Sequence, residues 1–396
     1  MWYLFAALSV FGHMAVCIWV VNRLHATAMP HWFLKVIDRM WYAFLLGLPV
    51  AVAAWLVIRP SSGVLQWERI RDYSLSYGAF CSIIGVLSIF IWMHFLSNHS
   101  TTEQLIANHT EVIDMPQKLG SQPTGTKLAR VLANLPNNQV FQLSIHKKTL
   151  EVPTLPKELD GMTITHISDL HFTGQVTRPY FDQVIREANR LKSDFNVITG
   201  DIIDKPKCMP WLTGILGDLK KQAGTFYVLG NHDLRVKDEK GVRNALGENG
   251  FIDLGGKAKV VSYREHPIFW GGNEIPWFPN ATDVSHCPVE VKGKTPFRIL
   301  LSHSPDQIQW AMRNGFDLMF AGHTHGGQIR FPVVGPVFSP SRFGVTYASG
   351  TFYCEPTVLH VSRGLSGTRM LRYNCRPELT QVTLKCGTAN NDPLRS

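Results

Sequence analysis

The sequence predicts an α/β domain that follows a membrane-spanning helical region. Three near-continuous apolar stretches fill most of the first hundred residues, at 2–21, 40–58 and 77–96. Further along the chain, short apolar runs alternate with stretches in which apolar residues recur at helical spacing. Such alternation is typical of layered α/β domains.

The three apolar stretches predict three transmembrane helices, because each approaches the ~20 residues that cross a bilayer. A cleaved signal peptide would need a basic start, and Met1-Trp2-Tyr3 offers none. Buried core helices would show a polar face, which these stretches lack. We therefore expect an integral, multi-pass membrane protein. Each connecting segment holds three Lys or Arg, so the positive-inside rule leaves the side of the catalytic domain open.

The composition predicts four regions: membrane helices over 1–96, a polar linker over 97–138, an α/β domain over 139–388 and a frayed tail over 389–396. The linker is rich in polar residues and proline, with a short helix expected over 127–135. Residues 141–143 and 150–152 are expected to form the first strand of the domain or a hairpin. Apolar residues at helical spacing predict helices after Pro179, Pro210 and Pro305.

Charge and cysteine usage exclude some classes of function. The net charge of +9 comes without a basic run or a basic-aromatic patch, so we expect no nucleic-acid partner. An anionic substrate or lipid surface suits this charge equally well. The seven cysteines contain no C-x-x-C pair, which favours free thiols over disulfides or a zinc knuckle.

Five apolar runs in the second half of the chain each end in residues that can bind metals. The runs 163–167, 195–198, 226–229, 299–301 and 316–320 lead into Asp169 and His171, Asp201, Asn231, His303, and His323 and His325, respectively. Open α/β sheets bind ligands beyond the carboxyl ends of their strands. The sequence therefore predicts a metal site at that edge, and a two-metal site is favoured by the number of ligands.

The types of ligand and their neighbours predict the chemistry. Oxygen and nitrogen ligands without thiolate favour Mn, Fe, Zn, Co or Mg over a structural zinc. Two ions about 3.5–4 Å apart can clamp the attacking and leaving oxygens of a displacement at phosphorus. His232 is the expected acid for the leaving group, and Asp204 is expected to orient its imidazole.

The order D-x-H, G-D-x-x-D, G-N-H-D, S-H and G-H-T-H resembles the calcineurin-like metallophosphoesterase superfamily over residues 161–384. The resemblance implies a four-layer sandwich of two packed sheets flanked by helices. It implies one metal on Asp169, His171, Asp201 and His325, and a second on Asp201, Asn231, His303 and His323. His232, supported by Asp204, would be the leaving-group acid or a phosphate contact, and Asn231 would also meet the substrate.

The segments 325–332, 361–364 and 376–378 resemble a membrane-attached branch of that superfamily, which includes transmembrane proteins with a metallophosphoesterase domain and bacterial phosphodiesterases. The resemblance implies a membrane-anchored enzyme that uses metal-bound hydroxide to cut a phosphodiester or pyrophosphate. Tethering favours a lipid or lipid-linked substrate. Alternatives are hydrolysis of UDP-2,3-diacylglucosamine in lipid A synthesis, a nuclease, and an inactive scaffold. The oligomeric state is left open.

Two further sets of side chains are candidates for the substrate pocket. Arg363 is the expected phosphate contact among the arginines that follow the last ligand. Trp270, Trp277 and Phe278 either line the mouth of the pocket or pack in the core.

Overall fold

A computed structural model of the chain describes residues 2–58, 66–98 and 102–387, and the expected frayed tail lies outside this part. The chain divides into two compact units. The first comprises residues 1–100 together with Arg342–Thr346, and the second comprises the remaining residues. Side chains are not described for residue 2, residue 31, and residues 51–58, 66–71 and 94–98.

The first unit consists of three long helices, α1 (Trp2–Leu24), α2 (His31–Ile58) and α3 (Gln66–Asn98). Two segments in the described part are long and apolar enough to cross a membrane, Tyr3–Leu24 and Asp72–Met93. They match the first and third predicted spans. The second predicted span lies in α2, whose side chains are described only as far as residue 50, so two spans are found where three were predicted.

Helices α1 and α3 approach each other closely through small residues. A Cβ atom added at Gly12 would lie 1.7 Å from the carbonyl oxygen of Cys81, so only glycine fits at this point. The Ser9 hydroxyl donates a hydrogen bond to the carbonyl of Gly78 at 2.9 Å. Small residues at such contacts are typical of helix pairs in membranes.

The second unit contains fifteen strands and six helices in its described part. The strands are β1 (Leu105–Asp114), β2 (Gln142–Val152), β3 (Thr163–Ile167), β4 (Phe195–Thr199), β5 (Gly224–Val228), β6 (Ile252–Asp253), β7 (Ala258–Tyr263), β8 (His266–Asn273), β9 (Phe297–Ser302), β10 (Leu318–Ala321), β11 (Arg330–Phe331), β12 (Gly335–Pro336), β13 (Gly350–Cys354), β14 (Thr357–Val361) and β15 (Glu378–Cys386). The helices are α4 (Met115–Leu119), α5 (Lys127–Ala133), α6 (Arg178–Leu191), α7 (Met209–Gly214), α8 (Glu239–Glu248) and α9 (Ile308–Arg313).

Most strands belong to two mixed sheets. The seven-stranded sheet has the order β1-β2-β15-β3-β4-β5-β6, and the six-stranded sheet has the order β13-β14-β10-β9-β8-β7. Strands β3, β4 and β5 are parallel to one another, as are β9 and β10. The carboxyl ends of these parallel strands therefore share one edge within each sheet, as the sequence predicted.

Two apolar cores hold the catalytic unit together. One core contains Ile164, Val197 and Phe226 from the seven-stranded sheet with Ile299 and Phe320 from the six-stranded sheet. The second core packs the other face of the seven-stranded sheet against α6, α7 and α8. The helical spacing predicted for α6 is confirmed, because Phe181, Val184, Ile185, Ala188 and Leu191 are all buried.

One local prediction needs correction, and one open alternative is decided by the structure. The expected linker contains strand β1, which pairs antiparallel with β2 from Leu105 opposite Leu150 to Asp114 opposite Gln142. Most side chains of β1 are exposed, so the strand has no apolar alternation to reveal it and depends on backbone pairing. The first strand or hairpin expected over 141–152 is a single strand, β2.

A buried polar network links the two sheets. Lys148 of β2 forms an ion pair with Glu378 of β15 at 2.9 Å, with both side chains buried. Arg363 forms a second ion pair with the same carboxylate at 2.6 Å. Burial alone would raise the pKa of Glu378, but Lys148 and Arg363 more than offset this and hold that pKa well below its usual range.

We predict that Glu378→Gln destabilises the protein by about 3–5 kcal/mol, because it leaves two buried cations without their carboxylate. The measurement is urea unfolding followed by circular dichroism. Lys385→Gln is the control, since its ion pair with Asp160 is half-exposed and its loss is expected to cost at most about 1 kcal/mol. Equal destabilisation by the two variants would contradict this account of the network.

Candidate metal centre

All seven predicted ligands lie at the carboxyl ends of parallel strands. Strands β3, β4 and β5 of one sheet lead into the loops of Asp169 and His171, Asp201, and Asn231, while β9 and β10 of the other sheet lead into the remaining three histidines. Most of these side chains are buried, and Asp169 has no exposed surface at all. The structure therefore brings together residues that span more than 150 positions of sequence.

The backbone bends sharply where it presents these ligands. Five of the seven have a positive φ, in a region that non-glycine residues rarely adopt: Asp169 (53°), His171 (48°), Asp201 (51°), His323 (70°) and His325 (51°). Such conformations cluster at functional sites, where the surrounding structure enforces them. At the end of each strand, the bend leaves the extended path and allows the ligands of neighbouring strands to converge.

The first ligand group consists of Asp169, His171, Asp201 and His325, whose candidate ligand atoms all lie within 4.8 Å of one another. The Nε2 atoms of His171 and His325 are 3.1 Å apart. His171 Nε2 lies 3.6 Å from Asp201 Oδ2, and His325 Nε2 lies 3.5 Å from Asp169 Oδ1. The atoms thus surround one small volume.

The second ligand group contains Asp201, His303 and His323, with the same mutual limit of 4.8 Å. His303 Nε2 lies 3.3 Å from Asp201 Oδ1 and 3.1 Å from His323 Nδ1. The side-chain oxygen of Asn231 is 3.2 Å from the same Nε2 atom. Asp201 therefore belongs to both groups, with one carboxylate oxygen facing each.

The hydrogen bonds of the imidazoles fit a metal centre. His303 Nδ1 donates to the carbonyl oxygen of Thr199 at 2.7 Å, and His171 Nδ1 lies 2.9 Å from an oxygen of Asp204. When His171 and His303 are neutral, the Nε2 atom of each ring therefore carries a lone pair, and this lone pair points at other acceptor atoms. Acceptors converge in this way when a cation sits among them, with the outer hydrogen bonds fixing each ring.

The pKa of His303 points to the same conclusion. Burial alone would lower this pKa, but the Asp201 carboxylate more than offsets the effect and raises it to about 9. A proton on His303 thus neutralises the carboxylate in the absence of a cation. Because the donor set combines carboxylate, imidazole and amide groups without thiolate, the residues present fit divalent cations of the hard or borderline class.

Asp204 lies between two histidines. One of its oxygens is 2.9 Å from His171 Nδ1, and the other contacts His232 Nδ1. Arg235 donates to the same carboxylate at 3.3 Å. Burial alone would raise the pKa of Asp204, but His171 and His232 hold it well below the usual range. The predicted pairing of Asp204 with His232 is present, and the pairing with His171 was not foreseen.

Asp233 joins the loops after β4 and β5, although no catalytic or structural role was predicted for it from the sequence. Its carboxylate accepts hydrogen bonds from the backbone N–H groups of Ile202 and Ile203, both at 2.9 Å, and of Gly230 at 2.7 Å. These bonds fix the loop of Asp201 relative to the loop of Asn231. The signal was available, because Asp233 closes the G-N-H-D motif.

A chain of hydrogen bonds reaches Asp169 from the buried network between the sheets. Lys148 donates to His360 Nε2 at 3.0 Å, so the other nitrogen of His360 carries the proton that points at His166 Nδ1, also at 3.0 Å. Burial lowers the pKa of His166 to about 3, which keeps this ring neutral.

The same chain continues from His166 Nε2, which lies 2.8 Å from the Thr199 hydroxyl. Thr199 donates to the Ser168 hydroxyl at 2.8 Å, and Ser168 donates to Asp169 Oδ2 at 2.6 Å. All donors in the chain point towards Asp169. This oxygen of the ligand is therefore held by a hydrogen-bond donor, while Asp169 Oδ1 faces the first ligand group.

Arg363, the predicted phosphate contact, forms an ion pair that the sequence did not reveal. Its guanidinium is committed to Glu378 at 2.6 Å, a buried carboxylate that it helps to neutralise. The neighbouring Gly364 explains the motif differently, because it has a φ of 69° and a Cβ there would lie 2.6 Å from Cβ of Asp169. The segment therefore supports a metal ligand through close packing.

The aromatic candidates divide between the site and the core. Trp277 packs on the second ligand group, with its ring centroid 4.7 Å from that of His323 and 5.3 Å from that of His303. Trp270 is buried and stacks on Phe226 at 4.2 Å between the sheets. Phe278 is also buried in the core. Only Trp277 of the three lies at the candidate site.

We predict that Asp201→Asn lowers bound metal strongly, since it removes the charge shared by both ligand groups. Metal content per chain, measured by mass spectrometry of protein dialysed against manganese, tests this prediction. Asp283→Asn is the control, because Asp283 is an exposed carboxylate that caps a short turn. Undiminished metal in the Asp201 variant would contradict the assignment of this residue.

The amino-acid sequence is similar to a known protein family and to several known proteins. Residues 162–327 match the calcineurin-like phosphoesterase family. The metallophosphoesterase YkuE of Bacillus subtilis is 30% identical over 247 residues, covering 60% of this chain and 84% of that protein.

Two further relatives extend the comparison. The transmembrane protein with metallophosphoesterase domain of Bos taurus is 29% identical, covering 85% of this chain and 80% of that protein. The UDP-2,3-diacylglucosamine pyrophosphatase LpxG of Chlamydia muridarum is 25% identical, covering 57% of this chain and 85% of that protein.

Proposed function

Because this chain belongs to the calcineurin-like phosphoesterase family, a family of hydrolases, we propose that it cleaves a phosphodiester or pyrophosphate bond with two divalent cations as cofactors. The observation that carries the proposal is the position of Asp201. One of its oxygens lies 3.6 Å from His171 Nε2, and the other lies 3.3 Å from His303 Nε2. A carboxylate placed in this way can bridge two ions.

The residues proposed to hold the first cation are Asp169, His171, Asp201 and His325, and those proposed to hold the second are Asp201, Asn231, His303 and His323. Manganese, iron, zinc, cobalt and magnesium all suit this donor set. When bound, such a pair of cations activates water and neutralises charge on the phosphoryl group.

His232 is proposed to give a proton to the leaving oxygen. Its Nδ1 is engaged by Asp204, so its Nε2 is the atom that can hold or transfer this proton. The ring is 13% exposed, whereas the side chains of His171 and His303 are fully buried. Burial lowers the pKa of His232 below its ordinary value, and the carboxylates of Asp201 and Asp204 offset this only in part. Asp204 thus opposes the loss of the proton that an acid needs.

The substrate is proposed to enter between Trp277 and His232, on the exposed side of the ligand groups. The Asn231 side chain directs its oxygen to the second group, which leaves its amide hydrogens to contact a phosphoryl oxygen. Trp277 excludes water from one flank of the crevice by packing on His303 and His323. A phosphate contact through Arg363 stays a prediction, and its guanidinium is already paired with Glu378.

We further propose that the protein is anchored in a bilayer and acts on a lipid or lipid-linked phosphoester. Two helices of membrane-spanning length support the anchor, as does the similarity to a bovine protein described as transmembrane. A third crossing through α2 is part of this proposal. A surface-bound enzyme meets a surface-bound substrate at high effective concentration.

Hydrolysis of a UDP-diacylglucosamine-like pyrophosphate is the second candidate, supported by the similarity to LpxG. It would use the same metal centre and differ in the leaving group, a phosphate monoester in place of an alcohol. A screen of phospholipids, nucleotide-linked glycolipids and soluble diesters with the full-length protein and manganese would separate the two candidates. An inactive scaffold gains no support, since the ligand groups are complete. A nuclease gains none from the sequence, which has no basic run or basic-aromatic patch.

We predict that His232→Ala slows hydrolysis of an alkyl phosphodiester by about 10²–10⁴, the usual range for general acid catalysis. On a nitrophenyl ester the loss is expected to be much smaller, because that leaving group is already a stable anion. Both esters are assayed on one metal-loaded preparation. Equal losses, or loss of bound metal, would place the acid elsewhere.

We predict that the full-length protein stays with the membrane through washes in high salt and at alkaline pH, and that only detergent releases it. The reason is that apolar helices of this length gain far more from the hydrocarbon core than surface charges can supply. Sedimentation followed by immunoblotting measures the outcome. Release by salt alone would show that the attachment is peripheral.

A further inference from the structure

Large apolar side chains are exposed on two segments of the catalytic unit, and one of these, the β11–β12 hairpin, starts five residues after His325. We give the name apolar rim to six of them, Leu128, Val131 and Leu135 on α5 and just after it, and Phe331, Val333 and Phe338 on the hairpin and its continuation. Val333 is 76% exposed, and Leu128 is 68% exposed. Contiguous exposed apolar surface on a catalytic unit indicates a surface that binds a partner.

Helix α5 exposes apolar side chains. Leu128 and Val131 are three residues apart and therefore share one face of the helix, and Leu135 lies two residues beyond its end. All three are exposed, whereas Ala129 is 1% exposed and faces the core. The inward face packs on the core through Ala129, Leu132 and Ala133, so α5 has apolar side chains on both faces. A helix at an ordinary aqueous surface has a polar outer face.

The tip of the hairpin is strained as well as apolar. Val333 has a φ of 66°, a region in which a β-branched residue is an outlier and glycine or asparagine would be expected. A valine at this position makes the turn less favourable, and its exposed side chain lowers solubility. Contact of the side chain with an apolar medium would account for the valine.

Hydrogen bonds connect the two parts of the apolar rim to each other, and one part lies close in sequence to a candidate metal ligand. Tyr373 accepts a hydrogen bond from Arg330 N at 2.9 Å and donates through its hydroxyl to the carbonyl of Pro136 at 2.8 Å, which joins the hairpin to the end of α5. The hairpin starts five residues after His325. The segment before α5 is held by Thr177 N, which donates to Pro123 O at 3.1 Å.

The segments that carry the apolar rim contain basic but no acidic residues. Residues 115–140 and 326–341, and also residues 362–377, which hydrogen-bond to both, contain no Asp or Glu. Their exposed charged side chains are basic, including Lys118, Lys127, Arg130 and Arg369. Apolar side chains surrounded by lysine and arginine match the interface of an anionic leaflet, where acyl chains lie beneath negatively charged headgroups.

We propose that the apolar rim docks onto an anionic bilayer, with Phe331 and Val333 inserted at the boundary between headgroups and acyl chains. The crevice would then open beside the lipid surface that carries its substrate, so this inference rests on the proposed function for its meaning. The occupant is taken to be a bilayer because the same chain contains two helices of membrane-spanning length, and α3 ends at Asn98, only seven residues before β1 begins.

A fluorescent amino acid in place of Phe331 tests this docking in the full-length protein. The protein is reconstituted into vesicles of phosphatidylcholine, with or without phosphatidylglycerol, that contain nitroxide-labelled lipid. The expected result is a blue-shifted emission quenched by the nitroxide, and more strongly quenched with phosphatidylglycerol. The same probe in place of Val289, which is 83% exposed on another loop, is expected to stay in water.

Val333→Asn provides a variant that keeps the fold. Asparagine tolerates the left-handed conformation, so thermal stability is expected to be unchanged or higher. In this variant the probe at position 331 is expected to be quenched less, by an amount that corresponds to about tenfold weaker docking. The reason is that a valine side chain no longer inserts into the interface. Val289→Asn is the matched control, and it is expected to leave the quenching unchanged.

Several outcomes would overturn the proposal. These are a probe at position 331 that remains in water in both kinds of vesicle, quenching that Val333→Asn does not alter, and quenching that is independent of phosphatidylglycerol. A blue shift without quenching by lipid would place the apolar rim against a protein, such as a second copy of this chain. Catalysis is not used in the readout, so failure here leaves the proposed hydrolysis untouched, and failure of hydrolysis leaves docking measurable.

Discussion

The catalytic unit depends on holding acceptor atoms against one another in a buried crevice. Asp169 and Asp201 are almost completely buried, and isolated buried carboxylates are strongly unfavourable. Five of the seven candidate ligands also have left-handed backbone conformations, each costing of order 1–3 kcal/mol. The surrounding structure offsets both costs. The parallel strands fix the loops, and the carboxylate of Asp233 accepts hydrogen bonds from three backbone N–H groups. The proposed cations would neutralise the buried carboxylates.

The core between the sheets takes part in this arrangement. A purely apolar core would have fixed the distance between the sheets, but a row of donors runs from Lys148 through His360 and His166 to Thr199 and Ser168, and it ends on Asp169. Buried polar groups are stable only when each is satisfied, and a fully satisfied network favours one geometry. The orientation of a metal ligand is thus tied to the registration of the two sheets.

Much of this organisation could be predicted from the sequence, for reasons that also explain the failures. Apolar runs ending in Asp, His and Asn predicted the strands and the ligands together, because parallel strands deliver their carboxyl ends to one edge. Strand β1 was missed because its side chains are mostly exposed and only backbone pairing holds it. The ion pair of Arg363 was not predicted, because sequence spacing does not reveal its buried partner, Glu378. The pairing of Asp204 with His171 was missed for the same reason.

The central claim is that two cations share Asp201. Anomalous X-ray diffraction from crystals of the full-length protein grown with manganese would test it most directly. The account predicts two peaks on opposite sides of the Asp201 carboxylate, separated by about 3.5–4 Å as in other two-metal sites. One peak would be surrounded by Asp169, His171 and His325, and the other by Asn231, His303 and His323. A single peak that does not contact Asp201, or manganese bound elsewhere with none in the crevice, would contradict the account.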